Sequence, residues 1–442
     1  MPVNNINQNI KTILFVDDEI KILDALKRKL HKWKNDWDIL YTTSGKEALD
    51  LLQKRAINEL PTVDVVVCDM RMPGINGYEL LKIIAKKYPQ TIRFMLSGQS
   101  ERNILIKSLN LIHQYFSKPC DTEVLFYSIF RIFNVRNFIN NSNIINLVSQ
   151  MKTLPVLPKI YNELEAELTT EDYSIKSVSD IVSKDIAISA KVLQLANSSY
   201  FAIGKSINCT QKAISIIGIE CLKDLILTLH LFSQADDEMS KTFRLNSLWK
   251  HSLSTAHIAK YIATVLELND SEKDLCFTAA LFHDIGKLIL ATQFPVLYSD
   301  VYFKYNSKDS ISLESYENQT FKTSHAEVGA YLMSLWGFND IIVESILFHH
   351  NLSNITCNDV LPVVIVSIAD YLDHQINSSN QSMKTIDNYS IGINYNYLSK
   401  IEKNLNTNIR KTINNHNPDH DFVTSLLTFL KKGYENEYKH FR

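Results

Sequence analysis

The sequence predicts a protein in two parts, an N-terminal α/β domain with a parallel sheet and a C-terminal domain that is all-α. Residues 12–134 alternate short apolar runs with amphipathic segments, a pattern typical of a parallel sheet with helices on both faces. Acidic residues stand directly after two of these apolar runs, at the predicted strand ends. From residue 145 to about residue 375, one helical pattern follows another with almost no strand signal.

The first part is predicted to contain five strands that alternate with five helices. The predicted strands are "TILFVDDE", "WDILYTT", "VDVVVCDM", "TIRFMLS" and "HQYFS". The third of these is apolar almost throughout, as expected of a strand that is buried on both faces. The intervening segments, such as "KILDALKRKLHKW" and "SERNILIKSLN", place apolar residues at helical spacing.

Polar stretches divide the chain into four segments. The sequence "NVRNFINNSNI" is poor in aliphatic residues and predicts a linker at residues 136–148. The α/β domain then covers residues 10–135, and the helical domain covers residues 149–375. Residues 376–442 are rich in Asn and contain "DFVTSLLTFLKKGY", which predicts a terminal helix.

Composition argues against several classes of function. The 442 residues carry a net charge of −2, so no general attraction to nucleic acid or to an anionic membrane is expected. The six cysteines are scattered and form no C-x-x-C pair, which indicates free thiols in a reducing compartment. No apolar run approaches the roughly 20 residues that span a bilayer. We therefore expect a cytoplasmic protein that binds no DNA and no membrane.

Acidic residues, a hydroxyl group and a lysine stand at the ends of the predicted strands. Asp17 and Asp18 follow the first strand and Asp69 the third, while Ser97 ends the fourth strand and Lys118 follows the fifth. The carboxyl ends of parallel strands meet at one edge of the sheet, where binding sites form. Three converging carboxylates need a cation, and oxygen ligands favour Mg²⁺. A lysine and a hydroxyl group beside them fit a site in which a carboxylate attacks phosphorus.

The motifs "FVDDE", "CDMRMPGINGYELL", "LSGQS" and "FSKP" resemble, in this order, the receiver domain of two-component response regulators. The resemblance implies a flavodoxin-like, doubly wound sheet of five parallel strands. It also implies a phosphoryl donor, which would be a sensor histidine kinase or a phosphotransfer protein.

The same resemblance implies roles for individual residues. Asp69 would be the phosphoacceptor, and Ser97 and Lys118 would contact the phosphoryl group. Tyr115 would be the aromatic residue that swings inward on activation. The implied Mg²⁺ ligands are the carboxylates of Asp17, Asp18 and Asp69 and the backbone carbonyl of Arg71.

Histidines and aspartates recur beside the apolar stripes of the helical part. They are His251, His283, Asp284, His325, His349, His350 and Asp370. Asp370 lies in the apolar stretch "VVIVSIADYL", where a carboxylate without a partner would be costly to bury. Imidazoles and carboxylates together suit Zn²⁺, Mn²⁺ or iron. A site of this kind can lower the pKa of a bound water molecule and direct it at a phosphodiester.

The order of these residues is similar to that in the HD superfamily of metal-dependent phosphohydrolases, whose phosphate-contacting lysine matches Lys287 in "HDIGK". A closer resemblance is to the HDOD domain, a signalling relative in which catalysis is not generally established. It is carried by "LPVLPKIYNELEAEL", "LQLANSSYF", "AISIIG", "HAEVGAYLMSLWGF" and "HH", over roughly residues 145–350. The sequence "NLSNITC" follows the His pair, where the cyclic-di-GMP phosphodiesterase branch has a Gly-Tyr-Pro signature.

The two resemblances together imply a response regulator. Phosphorylation of Asp69 would change the contacts of the receiver surface around the fourth and fifth strands, either with a second copy in a homodimer or with the helical part. We expect the helical part to be an output module that binds a downstream protein or a nucleotide. The alternative is a receiver-gated, metal-dependent phosphohydrolase, such as a cyclic-dinucleotide phosphodiesterase. A third alternative is a scaffold that only dimerises on phosphorylation.

Overall fold

The computed structural model describes most of both predicted parts. The described residues are 11–33, 37–97, 111–151, 154, 158–170, 173–198, 201, 206–223, 225–226, 245–307, 311–352, 355–357, 359–377 and 431–434. The helix predicted from "SERNILIKSLN" lies outside these residues, as does most of the segment 376–442 with its predicted terminal helix. Residues 431–434 of that segment are helical.

The N-terminal part is a five-stranded parallel sheet in the order β2-β1-β3-β4-β5. The strands are β1 (Lys11–Val16), β2 (Trp37–Thr42), β3 (Val65–Asp69), β4 (Ile92–Ser97) and β5 (Gln114–Ser117). The described helices are α1 (Ile20–Leu30), α2 (Gly45–Ile57), α3 (Gly77–Lys87) and α4 (Thr122–Arg136), with a 3₁₀ turn at His31–Trp33. The strand order reverses next to β1, so the doubly wound fold is confirmed, with its crevice outside the carboxyl ends of β1 and β3.

Local sequence fixes how α3 starts beside the end of β3. Asn76 caps the helix by accepting a hydrogen bond from the backbone N–H of Glu79. A side chain at Gly77 would place its Cβ 2.1 Å from the carbonyl oxygen of Asp69. Only glycine therefore lets the helix begin this close to the strand end that carries Asp69.

All the regular secondary structure in the described residues of the C-terminal part is helical, as predicted. Its first helices are α5 (Ser142–Gln150), α6 (Pro158–Thr169), α7 (Ile175–Val182), α8 (Ile186–Ala196) and α9 (Thr210–Ile217). The next are α10 (Leu245–Val265), α11 (Asp270–Phe282), α12 (Ile285–Gln293), α13 (Pro295–Asn306) and α14 (Leu313–Phe321). The last are α15 (His325–Leu335), α16 (Asp340–Phe348) and α17 (Leu361–Asn377).

Helix α5 begins inside the stretch that we predicted to be a linker. The Asn141 side chain caps it by accepting hydrogen bonds from the next backbone N–H groups. Ile144 and Val148 are buried at 1% exposure each, so α5 packs into the core. The polar residues between α4 and α5 therefore connect two parts that are packed together.

The stretch Asp270–Gln293 is long and apolar enough to cross a membrane, but 89% of its most apolar window is buried inside the fold. It consists of α11 and α12, which are interrupted at His283 and Asp284. The stretch therefore has the surroundings of a core segment.

Candidate functional sites

The predicted strand-end residues of the N-terminal part come together. The carboxylates of Asp17, Asp18 and Asp69 lie within 4.8 Å of one another. The Nζ atom of Lys118 lies 2.7 Å from Oδ2 of Asp17 and 2.8 Å from Oδ1 of Asp69. Ser97 ends the neighbouring strand β4 and is 5% exposed. Parallel pairing of β1, β3, β4 and β5 produces this grouping, because all four strands end at the same edge.

Burial and the lysine act in opposite directions on this carboxylate group. Burial raises the pKa of Asp69, and the hydrogen bond and charge of Lys118 offset only part of that rise. Burial alone would lower the pKa of Lys118, but its hydrogen bonds to Asp17 and Asp69 raise it overall. Three carboxylates against one ammonium group leave excess negative charge. The all-oxygen donor set therefore fits Mg²⁺.

The other residues predicted for this site lie close by in the chain. Arg71 is exposed in the loop that follows β3, two residues after Asp69. Tyr115 lies in β5 and is 8% exposed. It lines a cleft of about 350 Å³ between the sheet and the helical part, together with Trp336 and Gly337.

The predicted histidines and aspartates of the helical part also converge, in two groups. Half-site A consists of His251, His283 and Asp370. Half-site B consists of His325, His349 and His350. In half-site A, His251 lies on α10, Asp370 lies on α17, and His283 directly follows α11. In half-site B, His325 begins α15, and His349 and His350 directly follow α16.

Asp284 lies between the two half-sites and presents one oxygen to each. Its Oδ1 atom lies 3.4 Å from Nε2 of His325 and 3.6 Å from Nε2 of His349. Its Oδ2 atom lies 3.5 Å from Nε2 of His251 and 3.5 Å from Nε2 of His283. This is the geometry of a carboxylate that can bridge two cations.

Each of four of these histidines has a hydrogen-bond acceptor next to its Nδ1 atom, so that its Nε2 atom points into the cluster. His283 and His349 each place Nδ1 2.7 Å from a backbone carbonyl, which can only accept a hydrogen bond. Their Nδ1 atoms therefore carry the hydrogen, and in the neutral ring Nε2 keeps its lone pair for a ligand. Nδ1 of His325 lies 2.7 Å from Oε2 of Glu317, and Nδ1 of His251 lies 2.7 Å from Oδ2 of Asp373.

Two buried ligand atoms of the cluster have no hydrogen-bond partner, Oδ1 of Asp284 and Nε2 of His349. Oδ1 of Asp370 instead lies among imidazole nitrogens, 3.1 Å from Nε2 of His251 and 3.3 Å from Nε2 of His374. In addition, the Nε2 atoms of His251 and His283 face each other at 3.2 Å, as do those of His325 and His350. Such pairs must either share a proton or bind a cation. The donor set of imidazoles and carboxylates therefore fits a pair of transition-metal ions.

Lys287, the predicted phosphate contact, lies beside Asp284, the carboxylate that the two half-sites share. Its Nζ atom is 2.6 Å from Oδ2 of Asp284. Burial alone would raise the pKa of Asp284, but the charge of Lys287 and the surrounding imidazoles hold it well below its usual range. Asp284 is therefore ionised and able to act as a ligand.

Sequence reasoning missed three residues around the cluster. Asp373 and His374 follow Asp370 at helical spacings of three and four, and that spacing was a usable signal. Nε2 of His374 lies 3.3 Å from Oδ1 of Asp370. Glu317 is fully buried on α14 and gave no signal, because nothing in its neighbourhood marks it as a partner of His325.

Two family models match the chain. The response regulator receiver domain matches residues 13–130, and the HDOD domain matches residues 154–352. The matches confirm the resemblances to the receiver domain and to the HDOD domain.

Curated relatives match parts of the chain. The hydrogenase transcriptional regulatory protein HoxA of Cupriavidus necator is 36% identical over 110 residues, which is 24% of this chain and 21% of HoxA. An uncharacterized protein of Treponema pallidum is 22% identical over 202 residues, which is 45% of this chain and 38% of that protein. The chain therefore spans well under half the length of these relatives.

Solved structures of two related proteins are also similar. The response regulator MmoQ of Methylococcus capsulatus is 20% identical, with 51% of this chain and 88% of that chain covered and a TM-score of 0.43. An HDOD domain protein of unknown function from Geobacter sulfurreducens is 24% identical, with 70% and 95% covered and a TM-score of 0.37. At these scores the two structures add nothing to the fold described above.

Proposed function

Because the chain joins a response regulator receiver domain to an HDOD domain, we propose that it is a phosphorelay response regulator in which Asp69 accepts the phosphoryl group. The observation that carries this proposal is the position of Lys118, whose Nζ atom contacts both Asp17 and Asp69 at the carboxyl edge of the sheet. The donor would be a sensor histidine kinase or a phosphotransfer protein.

The residues at this edge are arranged for transfer onto Asp69. A carboxylate oxygen of Asp69 forms a bond to phosphorus while the bond between phosphorus and the donor's histidine nitrogen breaks. The released imidazole keeps the electron pair and takes up a proton. Lys118 neutralises charge on the phosphoryl oxygens, and Ser97 donates a hydrogen bond to one of them.

Asp17, Asp18, Asp69 and the backbone carbonyl of Arg71 would hold Mg²⁺, which when bound neutralises further phosphoryl charge. Asp17 also holds Lys118 in place through its 2.7 Å contact. Exposed Asp18 completes the oxygen set on the solvent side.

A small-molecule phosphoryl donor tests this proposal. With acetyl phosphate and Mg²⁺, the intact mass of the wild type should rise by one phosphoryl group, and that of Asp69→Asn should not. Asp64→Asn is a matched control, because Asp64 pairs with Arg136 near the opposite end of β3. Equal labelling of wild type and Asp69→Asn would contradict the proposal.

For the HDOD domain we propose a regulatory output that retains a metal centre and binds a downstream protein or nucleotide. Its support is the pair of buried ligand atoms without partners at Asp284 and His349, next to imidazole Nε2 atoms that face each other at 3.2 Å. Metal analysis of the purified protein tests it. We expect Mn, Fe or Zn, and we expect loss of the metal in Asp284→Ala.

The second candidate function is a receiver-gated phosphohydrolase, and the position of Lys287 favours it. Its Nζ atom beside Asp284 could hold a phosphate oxygen next to the two half-sites, where bound metal would supply an activated water molecule. Turnover of bis(p-nitrophenyl) phosphate or of a cyclic dinucleotide, lost in His283→Ala, would establish the enzyme. Bound metal without turnover would favour the regulatory output over the phosphohydrolase.

A further inference from the structure

Two helices connect the receiver domain to half-site B, and the receiver contacts each at the end away from the histidines. At the far end of α15 from His325, the backbone carbonyl of Ser334 accepts a hydrogen bond from Nε2 of Gln114 at 2.9 Å. At the start of α16, Oδ1 of Asp340 accepts a hydrogen bond from Nη1 of Arg131 at 3.0 Å. Helix α16 then runs directly into His349 and His350.

Further buried hydrogen bonds join the receiver domain to α5, and α5 to α15. We call these contacts, together with those at Ser334 and Asp340, the junction. The backbone carbonyl of Ser149 in α5 accepts hydrogen bonds from Nη2 of Arg93 and Nε2 of His113, at 3.0 and 2.9 Å. The Ser149 hydroxyl lies 3.0 Å from the hydroxyl of Tyr331 in α15. All these groups are buried, so each lost hydrogen bond would leave an unsatisfied polar group.

A further contact reaches the end of α16 that lies next to the histidines. The ring of Phe138, just beyond α4, packs edge-on against Phe348 at a centroid distance of 6.1 Å. Phe348 immediately precedes the histidines of half-site B. The junction therefore contacts α16 at both of its ends.

The phosphorylation site reaches the same junction through β5. Lys118 follows β5 directly and pairs with Asp69, while Gln114 is the first residue of that strand. A phosphoryl group on Asp69 would compete with the present ion pair between Asp69 and Lys118. Since β5 has only four residues, a displacement at Lys118 would reach Gln114 and, through it, the carbonyl of Ser334 on α15.

Half-site A rests on other helices. His251 lies on α10, His283 follows α11, and Asp370 lies on α17. The hydrogen bonds and ion pair described above between the receiver and the helical part end on α5, α15 and α16. The contacts described above therefore reach the helices of half-site B directly, and those of half-site A through the packing of α16 against α11 and α17.

We propose that phosphorylation of Asp69 controls the metal affinity of half-site B selectively, through the paired helices α15 and α16. This inference rests on the proposed function of Asp69. Thermodynamic linkage makes the effect reciprocal, so metal in half-site B changes the affinity of Asp69 for a phosphoryl mimic by the same factor.

Zinc titration against a chromophoric chelator tests the inference, with excess Mg²⁺ present to fill the receiver site. Titrations are run with and without beryllofluoride, which mimics the phosphoryl group, and its uptake is followed by ¹⁹F NMR. We expect beryllofluoride to change one of two zinc affinities of the wild type by about fivefold or more. The change should persist in His251→Ala, which keeps half-site B, and be absent from His350→Ala.

Two arginines of the receiver domain give a matched pair of variants. Arg131→Gln removes the contact with Asp340 and should reduce the fold-change. Arg55→Gln removes an ion pair with Asp38 inside the receiver domain and should leave the fold-change as in the wild type.

The outcomes separate this inference from the proposed function. Uptake of beryllofluoride with unchanged zinc affinities, with no zinc bound, or with equal changes in both half-sites would overturn the inference and leave the receiver function intact. Failure of the wild type to take up beryllofluoride would instead contradict the role of Asp69. The wild-type titrations with and without beryllofluoride do not depend on whether any variant folds.

Discussion

Arg131 of the receiver domain donates a hydrogen bond to Asp340 of the HDOD domain, from Nη1 to Oδ1 across 3.0 Å. The two side chains are 13% and 30% exposed, so water only partly screens the ion pair. Asp340 also accepts a hydrogen bond from the hydroxyl of Tyr127. Since Asp340 begins α16, these bonds hold the start of the helix that His349 directly follows.

A double-mutant cycle measures how much this ion pair holds the domains together. Arg131→Gln and Asp340→Asn should each destabilise the protein, and together they should show a coupling free energy of about 1 kcal/mol. The measurement is urea unfolding of the wild type, the two single variants and the double variant. Purely additive effects would mean that the contact contributes nothing to domain packing.

Lys118→Met should slow phosphorylation of Asp69 by about a hundredfold, since it removes the ammonium group that offsets phosphoryl charge. The rate of acyl phosphate formation with acetyl phosphate and Mg²⁺ is the readout. Lys54→Met serves as control, because Lys54 is exposed in the last turn of α2, at the opposite end of that helix from the sheet edge that carries the carboxylates. An unchanged rate in Lys118→Met would remove the lysine from the mechanism.

Glu317→Gln should weaken metal binding at half-site B by about 10- to 100-fold, because Glu317 accepts the Nδ1 hydrogen bond of His325 and fixes the ring. Circular dichroism should show an intact helical fold, since Gln keeps the shape and can still bond the hydroxyl of Tyr298. Glu314, a half-buried residue in the first turn of the same helix, provides the control variant Glu314→Gln. Zinc affinities that match in the two variants would refute a positioning role for Glu317.

The strand-end site could be predicted because its geometry follows from sheet topology. Once Asp17, Asp69 and Lys118 are placed after parallel strands, the carboxyl ends of those strands bring them together. The histidine cluster was predictable in its residue types only. Its division into two half-sites around Asp284 depends on how five helices pack, and no local sequence pattern encodes that.

The contacts between the two domains could not be predicted from the sequence. Gln114 and Ser334 are 220 residues apart, and Gln114 reads as an ordinary strand residue. Glu317 likewise reads as one more charged residue on an amphipathic helix. In both cases the partner is set by tertiary packing, which overrides the local pattern.

A buried lysine makes stability depend on pH. Burial lowers the pKa of Lys191 from 10.5 to about 7, where its neighbours are the ring of Trp336 at 3.9 Å and Oε1 of Gln194 at 2.9 Å. The unfolded chain binds the proton more tightly than the fold does, so this residue's contribution to stability rises with pH between about 7 and 10. It is lost as the pH falls toward the folded pKa.

The unfolding free energy of the wild type should therefore rise relative to that of Lys191→Met between about pH 7 and pH 9. Urea unfolding at both pH values gives the difference, and groups common to both proteins cancel. Lys184→Met, at a half-exposed lysine that pairs with Glu163, should show no such trend against the wild type. A constant gap between wild type and Lys191→Met would contradict the prediction.

Chemical trapping of the phosphorylated residue tests the central claim most directly. After treatment with acetyl phosphate and Mg²⁺, borohydride reduces an aspartyl phosphate to homoserine, which peptide mass spectrometry locates in the sequence. The account predicts homoserine at position 69, and none at position 17 or 18. A trapped residue elsewhere, or no trapped residue under conditions in which the protein is folded, would contradict it.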